Sequence, residues 1–148
     1  MSRGSAELRC GGTFGRPCRV QGRCLAMFTS DNQQEKMKPA IGRYAEAAAQ
    51  HYSAISAGKS ALAKEADDEL FRALKELRAL PDKGITDLIS LTSHVDVGVR
   101  VWAATHLLPY AESMAASILE SACTQKGIAA FDAKMVLYEW RAGRLVVP

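Results

Sequence analysis

The residues best suited to bind a ligand are aromatic and histidine side chains in the C-terminal half of the chain. Trp102, His106 and Tyr110 follow one another at intervals of four residues, so a helix would place Trp102 and His106 on one face. Together with Trp140 they could line a pocket for a small molecule, and a histidine with a perturbed pKa would support that interpretation. We favour the alternative that they form an ordinary contact between helices.

No pattern of catalytic or metal-binding residues accompanies these side chains. The three histidines form neither a His-x3-His pair nor an HExxH motif, and the acids Asp67 and Asp68 are adjacent, so a helix would point them apart. Three cysteines occur in a C-x7-C-x5-C pattern that lacks the close pair typical of zinc sites (Cys10, Cys18 and Cys24). Cys123 falls in an apolar helical pattern and is predicted to be a buried thiol. The sequence therefore predicts no catalytic residue, metal or cofactor.

The basic character of the chain is confined to its N-terminal segment. The overall net charge is +3, but residues 1–26 alone contain five arginines and one acid, whereas residues 27–148 carry a net charge of −1. A nearly neutral body lacks the broad basic face that nucleic acid requires, so nucleic-acid binding is disfavoured. Residues 1–36 are predicted to be a disordered or misannotated leader, with Met27 as an alternative start. No apolar run of about 20 residues is present, which predicts a cytoplasmic protein without a membrane span.

From Met37 onward the apolar residues recur at three- and four-residue intervals, which predicts helices. The expected helices cover about 39–56, 60–80, 83–92, 96–108, 111–125 and 129–142. Ser60 and Asp96 are expected N-caps, and Pro81 is expected to close the second helix. The charged residues of that second helix are assigned to a solvated face (Lys64, Asp67, Asp68, Lys75, Glu76 and Arg78). His51 and His94 are placed at a helix surface and a helix end.

One arginine stands inside the otherwise apolar stretch "DVGVRVWAATHLL", residues 96–108. The pattern D-x-x-V-R-x-x-A-A-x-x-L in this stretch resembles the second half of a HEAT-type repeat. In such repeats the acid and the arginine belong to a ladder of side chains between stacked units. The resemblance implies a structural ladder formed by Asp96 and Arg100. The alternative is that Arg100 anchors an acidic partner.

Three segments together are similar to a family of small bacterial HEAT-like proteins that is catalogued as a domain of unknown function. These segments, "DELFRALKEL", "VRVWAATHLLP" and "FDAKMVLYEWRAG", span about residues 40–145 in that order. Short connections between about six helices predict antiparallel neighbours, and the small residues on several helix faces favour stacked HEAT-like hairpins, a short α-solenoid that forms one domain over residues 37–148. The resemblance implies the same all-α fold. It implies no established activity or site.

Three functions fit these features. The first is a small, non-catalytic module that binds another protein on its helical surface, with self-association also open. The second is a small-molecule-binding protein or an enzyme, with a pocket near Trp102 and His106. The third is nucleic-acid binding through helical repeats. We favour the first, because no constellation of catalytic residues and no basic stripe supports the other two.

Overall fold

A computed structural model describes residues 39–148, in which all regular secondary structure is α-helical. It contains six helices: α1 (Ala40–Ser56), α2 (Ser60–Arg78), α3 (Pro81–Leu91), α4 (Val97–Leu107), α5 (Glu112–Cys123) and α6 (Ile128–Arg141). The predicted all-α fold of six helices is confirmed. The predicted leader of residues 1–36 and its three cysteines lie outside the described residues.

Short connections turn consecutive helices back on one another. Near the start of α1, Arg43 donates to Glu69 at the middle of α2 at 3.1 Å and also to Glu76 near its C-terminal end. Near the end of α1, His51 lies instead against Asp67, in the first half of α2. The pairings run in opposite directions along the two helices, so α1 and α2 are antiparallel.

Helix α4 is the centre of the packing, because it contacts α1, α3, α5 and α6. Small residues make these close approaches possible. Ala103 and Ala104 of α4 are fully buried, and the ring of Tyr52 from α1 lies directly over Gly98, where any Cβ atom would collide with it. Helix α1 also contacts α6, so α1, α4 and α6 all pack against one another. Helix α2 reaches α4 through the long side chain of Phe71.

Two predicted helix boundaries differ from the structure. Helix α2 ends at Arg78, and Pro81 is the first residue of α3, where the missing N–H of proline costs no hydrogen bond. Ser60 was expected to be an N-cap, but it is the first residue within α2, and the preceding Lys59 occupies the cap position without a side-chain hydrogen bond. Asp96 is confirmed as the N-cap of α4, since its carboxylate accepts from the backbone N–H groups of Gly98 at 2.7 Å and Val99 at 3.3 Å.

Asp96→Ala is expected to lower the free energy of unfolding by about 1 kcal/mol, because two N–H groups at the start of α4 lose their acceptor. Urea denaturation measures this change. Ser60→Ala is the matched control and should change stability little, because no cap hydrogen bond is formed at the start of α2. Equal losses in the two variants would show that the Asp96 cap contributes nothing specific.

Candidate functional site

Trp102 and His106 belong to an aromatic cluster formed by α1, α2 and α4. Their rings are stacked, with centroids 5.5 Å apart and planes inclined by 26°. Phe71 of α2 contacts both rings edge-on, with centroid distances of 6.2 Å and 6.1 Å, and His51 of α1 contacts Trp102 in the same way at 5.5 Å. These four side chains are called the aromatic cluster below. The cluster joins three helices, as expected for a packing contact.

His106 is the most deeply buried polar side chain of this cluster. Its ring is 1% exposed, and its Nδ1 lies 2.7 Å from the Tyr44 hydroxyl group. Burial lowers the pKa of His106 to about 3, and the positive charge of Arg78 lowers it further. Burial also raises the pKa of Tyr44 well above its usual value. Both groups are therefore neutral near pH 7. Because a general acid or base needs a pKa near the working pH, this pair is suited to a structural role and not to proton transfer.

His51 and Asp67 were assigned to solvated helix faces, and the structure corrects both positions. His51 is buried, and its Nδ1 lies 2.7 Å from Oδ1 of the partly buried Asp67. Burial raises the pKa of the Asp67 carboxyl group, while nearby His51 lowers it. The sequence signal for the burial of His51 was its spacing. Tyr44, Ala48 and His51 lie at i, i+4 and i+7, which places His51 on the apolar face of α1.

The other two predicted binding residues do not join Trp102 and His106. Tyr110 lies beyond the end of α4, where it lines a separate cavity beside α2 and α3. Trp140 is held in the α5–α6 pair, because its Nε1–H donates to the Glu112 carboxylate at 2.8 Å. The four residues therefore occupy three places, and only Trp102 and His106 come together as the helical spacing predicts.

Asp96 and Arg100 form their side-chain hydrogen bonds at the start of α4 and in the loop that precedes it. The Arg100 guanidinium donates to the backbone carbonyl groups of His94 at 2.7 Å and Val95 at 3.1 Å. It takes these acceptors instead of the expected carboxylate because side chains in a helix lean toward the N-terminus, and because Asp96 is occupied by the N–H groups of its own helix. In the structure Arg100 secures the α3–α4 loop, and Asp96 caps α4.

An apolar stripe on the outer face of α6 was not predicted. Phe131, Met135 and Tyr138 lie at i, i+4 and i+7, and they are 63%, 40% and 62% exposed. They lie opposite Ala133 and Leu137, which bury the inner face of α6. These three residues are called the α6 stripe. The sequence signal was present, since they form a second apolar series beside the inward-facing one.

A cavity of about 130 Å³ opens beside the C-terminal end of α2. It is lined by apolar side chains and one cation (Leu77, Arg78, Pro81, Gly84, Ile85, Leu88 and Tyr110). Arg78 was assigned to the solvated face of its helix, but it is partly buried, and its Nε is enclosed with no acceptor among residues 39–148. Periodicity alone places Arg78 beside Leu74 and Leu77, at the border of the apolar face.

The described part of the chain contains no group of three or more His, Cys, Asp or Glu side chains that could hold a metal ion. Cys123 is a free thiol that is half-buried, where a buried one was predicted. Among the helices from Pro39 onward, none is both long enough and apolar enough to cross a membrane.

Comparison with known proteins yields a similarity of fold. No family model matches this chain, and no curated protein matches it. The structure is similar to the crystal structure of the protein RPA1889 from Rhodopseudomonas palustris CGA009, with a TM-score of 0.67 and 22% sequence identity. The match covers 74% of this chain and 93% of that chain. At this level of identity the likeness shows that the two chains share an all-α fold.

Proposed function

We propose that this protein is a non-catalytic interaction module that binds a short amphipathic helix of another protein on the α6 stripe. The observation that carries the proposal is the stripe itself: three large apolar side chains at helical spacing, exposed on the last helix of the fold. Isolated exposed apolar residues need no explanation, but a contiguous series of them is typical of an interaction site.

The size of the α6 stripe favours a single helix over a second copy of the whole chain. The exposed parts of Phe131, Met135 and Tyr138 amount to roughly 300 Å², given about 200 Å² for each large side chain. A stable interface buries about 800 Å² on each partner. A helix laid along α6 needs less contact area, and it would match the stripe with its own residues at i, i+4 and i+7.

The charge beside the α6 stripe indicates the chemistry of the partner. Lys134 is exposed at one edge of the stripe and forms no ion pair within residues 39–148. At the C-terminal end, the Arg144 guanidinium lies 5.1 Å from the centre of the Tyr138 ring, but its charge is already paired with the Glu139 carboxylate. The partner helix is therefore expected to place an acidic residue opposite Lys134, next to its apolar residues, which favours the correct orientation on α6.

The helical architecture supports the same function. If the hairpins are HEAT-like units, as the sequence resemblance implies, the outer face of α6 is the surface on which a further unit would stack. A partner helix would take that place. The alternative pocket near Trp102 and His106 is less favoured, because both side chains are engaged in packing between helices. Nucleic-acid binding is disfavoured by the net charge of −1 over residues 27–148.

The test is zero-length cross-linking of the full chain in its native lysate, which joins lysines to nearby carboxylates, followed by identification of the linked peptides. We expect a link from Lys134 to an acidic residue within a helical segment of another protein. Phe131→Asp should abolish this link, because a charge in the stripe opposes burial of the partner's apolar residues.

Val95→Asp serves as the matched control, since Val95 is 90% exposed in the α3–α4 loop, and this variant should retain the link. Circular dichroism checks that both variants remain folded. The proposal is contradicted if Phe131→Asp captures the same partner as the wild type. Links from Lys134 only to a second copy of this chain, or no partner links at all, would also overturn it.

A further inference from the structure

Arg78 differs from the other arginines of the helical domain. Five of the six between residues 39 and 148 donate to a carboxylate or to backbone carbonyl groups (Arg43, Arg72, Arg100, Arg141 and Arg144). Arg78 is partly buried, yet it forms no ion pair or side-chain hydrogen bond with any described residue, and its Nε is shut off from solvent. An N–H group that loses water without gaining an acceptor destabilises the fold, so the enclosed Nε of Arg78 calls for a further partner.

The groups near Arg78 in the core do not neutralise its charge. Its positive charge lowers the pKa of both Tyr44 and His106, which places it close to that hydrogen-bonded pair. Burial keeps Tyr44 protonated and His106 uncharged near pH 7. Arg78 therefore has no negatively charged partner in this part of the core, and an added anion would be attracted to it.

The cavity beside Arg78 has room for a small apolar body. Its volume is about 130 Å³, and its walls are formed mainly by Leu77, Pro81, Ile85 and Leu88. An apolar cavity of about 150 Å³ holds a benzene molecule in another protein, so a single ring or a short aliphatic chain matches the available space. Besides Arg78, the lining offers only the hydroxyl group of Tyr110 as a polar side-chain group.

We propose that Arg78 and this cavity form a binding site for a small monocarboxylic acid with a short aliphatic or single-ring body. The carboxylate accepts hydrogen bonds from the guanidinium, whose planar fork fits two carboxylate oxygens, and the apolar body lies between Pro81, Ile85 and Leu88. A single cation matches a single negative charge. A phosphate dianion would lack further donors in these apolar walls and would remain poorly solvated.

The test is titration of the isotope-labelled full chain, followed by nuclear magnetic resonance at neutral pH, with hexanoate and phenylacetate as probes. Hexanamide and phenylacetamide are the matched neutral probes of nearly the same shape. We expect saturable shifts at Ile85, Leu88 and Tyr110 with the two acids and much weaker binding of the two amides. Equal binding of acids and amides would overturn the role of Arg78, and no saturable shift with any probe would overturn the site.

Two variants separate the charge from the cavity. Arg78→Gln should weaken acid binding about ten- to hundredfold, since it removes charge-assisted hydrogen bonds. Arg72→Gln in the same helix is the control and should bind like the wild type, because Arg72 is exposed and paired with Glu69. Ile85→Phe retains the guanidinium but fills the cavity, and it should also lose binding. Unchanged affinity in either Arg78→Gln or Ile85→Phe would contradict the proposal.

Discussion

Gly84→Ala is expected to lower the free energy of unfolding by about 3 kcal/mol or more, the largest effect expected among the glycines of residues 39–148. Gly84 lies in the first turn of α3, directly against the end of α2. A Cβ atom at this position would collide with the backbone carbonyl group of Leu77. Backbone atoms cannot rotate away as a side chain can, so α3 would have to separate from α2.

The separation would also disturb the junction between the two helices. Leu77 and Leu88 are buried on either side of the junction. Moving α3 would leave a gap beside these two leucines, and gaps of this kind add to the loss of stability.

Gly42→Ala is the matched control, because Gly42 is also helical but has open space around it. The nearest atom to an added Cβ would be Cγ of Pro39 at 3.9 Å, which is ordinary contact. Alanine favours the helix over glycine by about 1 kcal/mol, so this variant should be slightly more stable than the wild type. Urea denaturation of both variants measures the two changes. If both substitutions proved stabilising, the close approach of α2 and α3 would be refuted.

The second large effect is a loss of stability in acid that arises from His106. Its pKa is about 3 in the folded protein and about 6.5 in an unfolded chain. Between these values the unfolded state binds a proton that the folded state does not, so acidification favours unfolding. The stabilising effect of neutral His106 is fully present above pH 6.5 and decreases as the pH falls toward 3. At pH 4.5 the loss amounts to about 2–3 kcal/mol relative to pH 7.

The measurement compares the free energy of unfolding at pH 7 and pH 4.5 for the wild type and for His106→Gln. The glutamine amide can still accept a hydrogen bond from Tyr44 but does not titrate, so this variant should lose about 2–3 kcal/mol less stability on acidification. Nuclear magnetic resonance of the wild-type imidazole signals provides a test that needs no variant. A protonation step of His106 near pH 6 in the folded protein would disprove the prediction.

Helix existence and order could be predicted from the sequence because they depend on local spacing. In α5 the residues Ala115, Leu119 and Ala122 recur at helical intervals, and all three are buried. The N-cap at Asp96 was equally local, since a carboxylate at that position needs only the free N–H groups of its own helix. The boundary at Pro81 was not determined locally, because proline is favoured both just after the end of a helix and in the first turn of the next helix.

The site depended on partners that are distant in sequence. Spacing predicted that Trp102 and His106 share a face, but it contained no information about Phe71, His51 or Tyr44, which complete their surroundings from two other helices. The predicted partner for Arg100 was a carboxylate, and the actual acceptors are backbone carbonyl groups in its own loop. These carbonyl groups come within reach of the Arg100 guanidinium only through the folded path of the loop before α4.

The sequence by itself determined the six helices and most of their buried faces, because apolar periodicity and helix caps act within a few residues. Only the tertiary structure decided which borderline residues became enclosed. Arg78 and His51 lie at the edges of apolar faces, where the position of a neighbouring helix decides between solvent and core. The same packing left the α6 stripe exposed, since no further helix of residues 39–148 lies on the outer side of α6.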